Sequence, residues 1–449
     1  MIKKLSIEQY KGFYEKQELL FASPILGKPG SGLTLIVGPN NTGKTTIIEA
    51  LLLNEQKKFK ESERHHNLHP KITIESETGT ITYTNVDDGS QIKPEIANAS
   101  HGIKFELIPS RRYWNTYSGG EWDFNQLIST STGQEVRNSS GIETAAALKS
   151  INRDTQKKQL FNEYIKKVIA HFTDWTIDTN DQGDYVKYMT STTSHQTNLL
   201  GDGVISIFRI CAHLVADAKD HVLIIDEPEL SLHPTAQKAL SRIIAIASQN
   251  RQIVLCTHSP HFANWSDLAN GAKFIRLNKP NDEKCIISSL DTEAKYSQFI
   301  MQNYKEYQKP QLLDYVSKEI LFSEKILFVE GQEDVGLIKK WFAENDIEPN
   351  FEIFGYGVAS WSNIKLFLKL AKDLGIDKAA ALYDHGTDTK LAYESAIKEF
   401  PTYFITILPT DDIRDKPDKE GCFSNSGVLK AERKTDFQKI MQSIIDYFQ

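Results

Sequence analysis

Apolar residues recur along this chain in two rhythms, and the change between them divides it. In the first two thirds, short apolar runs are separated by long polar stretches. "KKLSIEQYKGF" (3–13) alternates in part and "GLTLIVG" (32–38) is a short apolar run closed by glycine, so residues 1–37 are predicted to form strands. "TTIIEALLLNEQKKF" (45–59) takes helical spacing, and the polar, charged residues 54–66 predict a loop or frayed helix end. "KITIESETGTITYTN" (71–85) alternates on both sides of Thr78-Gly79, the pattern of a β-hairpin. Residues 118–141, rich in Ser, Thr and Gly, predict a loop, and "NRDTQKKQLFNEYIKKVIAHF" (152–172) a helix.

After a charged, helix-like connector the rhythm becomes regular. "KILFVEG", "FEIFGYG", "KAAALYD" and "YFITIL" read as strands. "EDVGLIKKWFAEN", "SWSNIKLFLKLAKDLG", "TKLAYESAIKEF" and "ERKTDFQKIMQSIIDYF" read as the helices that follow them. Strand and helix alternating at this spacing predict a small parallel α/β domain. The expected organisation is a first domain over 1–300 with an insertion at about 54–197, a helical connector over 301–322, and the second domain over 323–449. No internal repeat appears, and no heptad run is long enough for an extended coiled-coil arm.

Composition narrows the picture only modestly. A chain of 449 residues suits two domains, and 40% hydrophobic with 25% charged residues describes an ordinary soluble protein. No apolar stretch approaches the ~20 residues needed to cross a bilayer, and "MIKKLSIEQYKGF" has no export signal. The expectation is a cytoplasmic protein with no membrane partner. Cys211, Cys256, Cys285 and Cys422 are scattered, which suggests reduced thiols and neither a disulfide framework nor a zinc site. At a net charge of −7, any nucleic-acid partner has to be met by a local basic patch.

The chemistry is concentrated in a few stretches. "GPNNTGKTT" (Gly38–Thr46) fits G-x-x-x-x-G-K-[ST] between an apolar strand and a helix. In such a loop, backbone N–H groups and the helix N-terminus cradle phosphates, with Gly38, Asn40, Asn41, Gly43, Lys44, Thr45 and Thr46 as the candidate contacts. Lys44 would neutralise β/γ-phosphate charge and the Thr45 hydroxyl would ligate Mg²⁺. In "HVLIIDEPELSLHP", four apolar residues lead to Asp226, a candidate for holding Mg²⁺ through water, and Glu227, a candidate for polarising the attacking water. A salt-bridged acidic turn is the alternative, although adjacent carboxylates at a buried strand end are costly without a cation. His258 ends the next apolar run, "QIVLCTHSP", where a γ-phosphate sensor would stand.

These motifs resemble the ABC-type ATPases, in the branch that contains SMC proteins and RecF. "EPELSLHP" looks most like the RecF and OLD (overcoming lysogenization defect) group. The resemblance implies that Glu227 is the catalytic base, His258 the switch histidine and "ELSLHP" the D-loop. It places the signature segment at "NLLGDGVISIFRI" (198–210), where Gly201, Asp202 and Gly203 would contact nucleotide. This chain reads Leu200-Gly201-Asp202-Gly203 where the family has a serine before its glycine pair. The family sandwiches ATP between two heads, which implies a homodimer or higher homo-oligomer.

In the last third, Glu330 and Gly331 follow a strand, Asp334 lies on the first turn of the next helix, and Asp384 ends a later strand. Parallel strands put such ends on one edge, so Glu330, Asp334 and Asp384 could converge as hard oxygen ligands for Mg²⁺ or Mn²⁺. This pattern resembles the TOPRIM domain, which has a glutamate–glycine after its first strand and a D-x-D after its third. Gly386 stands where the second aspartate belongs. Three readings compete: Asp388 swings in, His385 replaces it, or the site binds one metal weakly and does not cut. Asp411, Asp412 and Asp415 in "PTDDIRDKPDKEG" could complete the set, or form a solvated loop. Arg111 and Arg112 in "IPSRRYW" suit phosphate contact or a salt-bridged strand end. His65, His66 and His69 read as solvated loop.

The fold class expected is thus α/β: an ABC/RecF-like P-loop ATPase head followed by a smaller parallel TOPRIM-like domain, in the order of an OLD-family protein. That family implies an ATP-regulated, metal-dependent DNA endonuclease of bacterial anti-phage defence. Two alternatives stand beside it. One is a sensor or scaffold ATPase whose degenerate TOPRIM domain holds a separate effector protein or RNA. The other is a RecF-like repair ATPase that loads on DNA ends.

Overall fold

The computed structural model describes residues 1–53, 69–85, 92–97, 103–110, 140–169, 171–180, 183–196, 201–216, 221–280, 284–290, 292–306 and 315–449. The polar stretch 54–66, Arg111 and Arg112, residues 118–139 and Leu200 lie outside the described residues. So do His65 and His66, and residues 307–314 of the connector. The described chain forms two compact units, Met1–Ile287 and Ser288–Gln449.

In the first unit, strands that read as unbroken apolar runs line up in one sheet. Its order is Ile286–Ser289, Lys273–Asn278, Leu33–Val37, Ile253–Cys256, Val222–Asp226 and Phe105–Ile108. The four pairings from Lys273–Asn278 through to Phe105–Ile108 are parallel. Every residue of Leu33–Val37, Val222–Asp226 and Ile253–Cys256 is buried, as expected where both faces of a parallel sheet are covered. A second sheet is antiparallel, in the order Gln17–Leu20, Ile2–Glu8, Lys71–Ser76, Thr80–Asn85 and Ile92–Ala97. It contains the anticipated hairpin, with Thr73 opposite Thr82 and Ile74 opposite Ile81. The helix Lys44–Leu51 joins the two sheets through a shared core, in which Ile47, Ile48 and Leu51 pack with Ile36 and Ile224 and with Leu5 and Ile72.

The anticipated helix after residue 152 runs Thr155–Val168. It starts where it does because the Asp154 carboxylate accepts the Gln156 and Lys157 N–H groups at 3.0 and 3.1 Å. Phe172–Asn180, Gly183–Thr190 and Ser194–Gln196 form a further antiparallel sheet.

The second unit has the strand–helix alternation expected of it. Its parallel sheet has the order Glu352–Ile353, Lys325–Phe328, Lys378–Tyr383 and Phe404–Ile407. Helices Gln332–Glu344, Trp361–Asp373, Thr387–Glu399 and Lys434–Phe448 alternate with the strands or follow them. "FEIFGYG" supplies only two strand residues, because the chain turns through left-handed conformations at Gly355 (φ +46°) and Gly357 (φ +80°). The acidic stretch after residue 408 is more than a loop. Asp412–Arg414 pairs in parallel with Gly421–Phe423, and Ile413, Cys422 and Phe423 enter the core.

Among the described residues, no helix is long and apolar enough to cross a membrane. The four cysteines are free and buried. The core of the second unit rests on aromatic packing. Phe437 meets Trp341 edge-on at 5.8 Å between ring centroids and Phe423 at 5.1 Å. Phe437→Ala should therefore cost about 3–5 kcal/mol of stability, seen as faster amide exchange across Lys378–Tyr383 than in the unsubstituted protein.

Candidate active sites

The loop after Leu33–Val37 is shaped by glycine where nothing else fits. Gly38 has φ +147°, and a Cβ there would stand 2.4 Å from the Leu277 carbonyl oxygen. Gly43, at φ +102°, caps the helix Lys44–Leu51, whose first turn carries no acidic residue. The partial positive charge of that helix end is therefore not offset by a nearby carboxylate in its own turn. Asn40, Asn41 and Thr45 are exposed, whereas Lys44 and Thr46 are buried. The Lys44 ammonium donates to the Gly38 and Pro39 carbonyl oxygens at 2.8 and 2.7 Å. Burial pulls its pKa down, against the fields of Cys256, Glu227 and Asp226, which raise it.

Strand register brings the other candidates to the same sheet edge. Asp226 lies opposite Cys256, and Cys256 opposite Ile36, so three strands release their following turns together. Asp226 is buried at the end of its strand. Glu227 turns the chain at φ +47° and donates its N–H to the Cys256 carbonyl at 2.8 Å. Its Oε1 stands 3.8 Å from His258 Nε2, with both side chains 31% exposed. Burial and the Lys44 charge lower the His258 pKa, while Glu227 raises it. Gly201 caps the helix Asp202–Val215 in extended backbone, and Asp202 lies in its first turn. Gly203 packs on the loop after Glu229, where a Cβ would stand 2.5 Å from the Ser231 carbonyl oxygen.

In the second unit, register aligns Phe328 with Ala381, so Glu330 and Asp384 emerge from neighbouring strands. The Asp384 N–H donates to Glu330 Oε1 at 3.1 Å. The Gly331 N–H donates to Asp334 Oδ2 at 2.8 Å, which holds Asp334 against the start of its helix. Burial is the first cause that raises all three carboxyl pKa values, and neighbouring acids raise them further: Asp412 acts on Glu330, Glu330 on Asp334, and Asp334 with Glu330 on Asp384. Asp334 is pushed up to about 7 and Asp384 to about 9.

Asp412 is the acid that stands with these three. It is buried, and its charge acts on Glu330, Asp334 and Asp384 alike. Its Oδ2 accepts Lys416 Nζ at 2.6 Å and lies 3.6 Å from Lys419 Nζ. Asp388 is exposed in the first turn of its helix. His385 is 54% exposed, with Nδ1 3.9 Å from Asp411. The donor chemistry of the buried acids fits a hard divalent cation. Among the described residues, no group of three or more His, Cys, Asp or Glu side chains is placed so that it could hold a metal ion as it stands.

Comparison with known proteins agrees with both halves. Residues 4–199 match the AAA domain family, residues 135–264 match a second AAA domain family of type IV TA systems, and residues 321–385 match the OLD-like TOPRIM domain. The chain joins an AAA-type ATPase head to an OLD-like TOPRIM domain. It is similar to the OLD nuclease of Thermus scotoductus, 29% identical over 177 residues, covering 38% of this chain and 32% of that protein. It is also similar to Endonuclease GajA of Bacillus cereus strain VD045, 27% identical over 150 residues, covering 33% of this chain and 23% of that protein. The chain thus spans a third or less of the length of these relatives. Among solved structures, an SMC head bound to the C-winged helix domain of ScpA is similar at 14% identity and TM-score 0.44, covering 65% of this chain and 98% of that one. The SMC head domain from Thermotoga maritima is similar at 14% identity and TM-score 0.39, covering 65% and 99%.

The TOPRIM match ends at residue 385, one position before Gly386. Gly386 caps the helix Thr387–Glu399 in extended backbone (φ −122°), a conformation any residue adopts. Its N–H donates to Thr389 Oγ1 at 2.6 Å, and a Cβ would approach that same hydroxyl at 2.9 Å. The sequence leaves Asp412 open between completing the metal set and lying in a solvated loop, and it names Glu229 only as the first residue of the D-loop segment "ELSLHP".

The raised carboxyls fix the sign of a pH effect. The folded TOPRIM domain holds protons that the unfolded chain, with aspartates near 3.8, releases earlier. Stability contributed by this pair is present at low pH and declines as pH rises toward about 7 for Asp334 and about 9 for Asp384. Without added divalent cation, urea denaturation should show falling stability between pH 5 and 9, with a shallower slope in Asp384→Asn.

Proposed function

We propose that the head binds and hydrolyses ATP with Mg²⁺, and that nucleotide state governs metal-dependent DNA cleavage by the TOPRIM domain. The observation that carries the nuclease reading is the trio of buried Asp334, buried Asp384 and half-buried Glu330. Buried carboxylates repel one another unless protons or a cation intervene. On this reading Lys44 meets the β/γ-phosphates, Thr45 and Asp226 hold the nucleotide's Mg²⁺, Glu227 takes the proton of the attacking water, and His258 faces the γ-phosphate. Glu330, Asp334 and Asp384 hold Mg²⁺ or Mn²⁺, and a cation there supplies charge stabilisation to a reacting phosphodiester.

Arg414, Lys416 and Lys419, beside the carboxylates, supply the local positive charge that a DNA partner demands of an acidic chain. Gly201, Asp202 and Gly203 contact nucleotide across a homodimer or higher oligomer of heads. The setting is bacterial anti-phage defence in the cytoplasm, the role that the family likeness implies.

One observation favours a second reading. Gly386 leaves the D-x-D pair incomplete, and Lys416 and Lys419 already neutralise Asp412. A TOPRIM domain of that kind suits a scaffold that holds a separate effector protein or RNA under ATP control.

Supercoiled plasmid incubated with Mg²⁺ or Mn²⁺, with and without ATP, separates the two. Cleavage lost in Asp384→Ala supports the nuclease; intact ATP turnover with no cleavage by the unsubstituted protein supports the scaffold. Lys44→Ala should abolish ATP turnover. Glu330→Ala should abolish cutting and leave ATP turnover intact, and wild-type cutting by that variant would overturn the nuclease assignment.

A further inference from the structure

Between the candidate ATPase carboxylates and the helix Pro234–Ser248 runs the segment "ELSLHP", which the resemblance names the D-loop and whose individual side chains carry no assigned role. Its backbone turns through left-handed conformations at Glu227 (φ +47°) and Ser231 (φ +61°), and Glu229 lies between them. The Glu229 carboxylate reaches into the neighbouring turn. Its Oε1 accepts the His258 backbone N–H at 2.6 Å, and its Oε2 accepts the Thr257 hydroxyl at 2.7 Å. The Thr257 hydroxyl oxygen accepts the Ser259 N–H at 2.9 Å. Ser259 Oγ donates to Gln237 Oε1 at 2.6 Å, and Gln237 Nε2 donates back to the Leu232 carbonyl at 2.8 Å. Residues 257–259 are thereby gripped at both ends by residues 229–237. On the other side of the same loop, Gly203 leaves no room for a Cβ against the Ser231 carbonyl.

A simple turn cap does not account for Glu229. Caps act on their own turn, whereas these bonds span 28 and 29 residues. A neutral acceptor could take the same N–H without the desolvation that a partly buried carboxylate pays. What the carboxylate holds is the backbone of the residue whose imidazole stands 3.8 Å from Glu227.

We propose that Glu229 is a positioning residue of the ATPase centre: by fixing the His258 backbone it sets the imidazole against Glu227. This inference rests on the ATPase reading of His258 given above.

The test is a double-mutant cycle in the full chain, reading steady-state ATP turnover and binding of a fluorescent ATP analogue. Glu229→Ala should lower kcat by about 10- to 100-fold, with KM and analogue affinity changed by less than about twofold. Glu229→Gln, which keeps an oxygen for the His258 N–H, should recover kcat to within about fivefold of wild type. In a His258→Ala background, Glu229→Ala should change kcat by less than about twofold, because its effect runs through the residue already removed. Multiplicative losses would overturn the proposal. So would Glu229→Gln as damaging as Glu229→Ala, with affinity falling alongside kcat, since that marks a structural role. If Glu229→Ala does not fold, the same cycle run with Glu229→Gln decides by the same criterion. Unchanged kcat in His258→Ala would remove the ATPase reading of His258 and this inference with it. An effect of His258→Ala with none from either Glu229 variant removes the inference alone.

Discussion

A parallel strand buried on both faces can present polar chemistry only at its ends, and both halves of this protein are built on that constraint. Leu33–Val37, Val222–Asp226 and Ile253–Cys256 have no exposed residue. Their register carries the phosphate-binding loop, Asp226 with Glu227, and His258 out on one edge. Lys325–Phe328 and Lys378–Tyr383 do the same for Glu330 and Asp384. A shift of register would bury charged groups and expose apolar ones. The packing that stabilises each sheet is therefore also what gathers its chemistry.

The two edges differ in how their charges are compensated. In the head, Lys44 lies in the field of Asp226, Glu227 and Glu229, so opposite signs share one space. The opposing fields of Lys44 and Glu227 on His258 show the same mixture. In the TOPRIM domain like charges gather, and each of Glu330, Asp334 and Asp384 is raised by burial and by its neighbours. Lys419 offsets part of this by lowering Glu330 and Asp384, and with Lys416 it also clamps Asp412. The first edge is electrostatically balanced within the chain, whereas the second takes up protons or calls for a cation.

Much of this was legible in the residues because it depends on local pattern. The phosphate-binding motif needs glycine where the backbone is left-handed or crowded, and Gly38 and Gly43 meet that need. The hairpin at Thr78-Gly79 and the strand–helix alternation of the second unit follow from periodicities of two and 3.6 residues. Where a glycine pair overrode the pattern, as at Gly355 and Gly357, the strand came out shorter than its apolar residues suggest.

By itself, the sequence determined which strands are apolar enough to be buried and which charged residues end them, because burial and backbone geometry act over a few neighbouring positions. Only the tertiary structure decided which acids meet. From sequence Asp412 stands between a member of the acidic set and a solvated loop residue; folding pairs its strand with Gly421–Phe423, packs Phe423 on Phe437, and brings Asp412 into the field of Asp384. Glu229, which the sequence places only at the start of the D-loop segment, meets its partner when folding brings the His258 backbone, 29 positions away, to its carboxylate. Both outcomes turn on contacts between distant segments, where register and packing rather than local composition set the distance between charges.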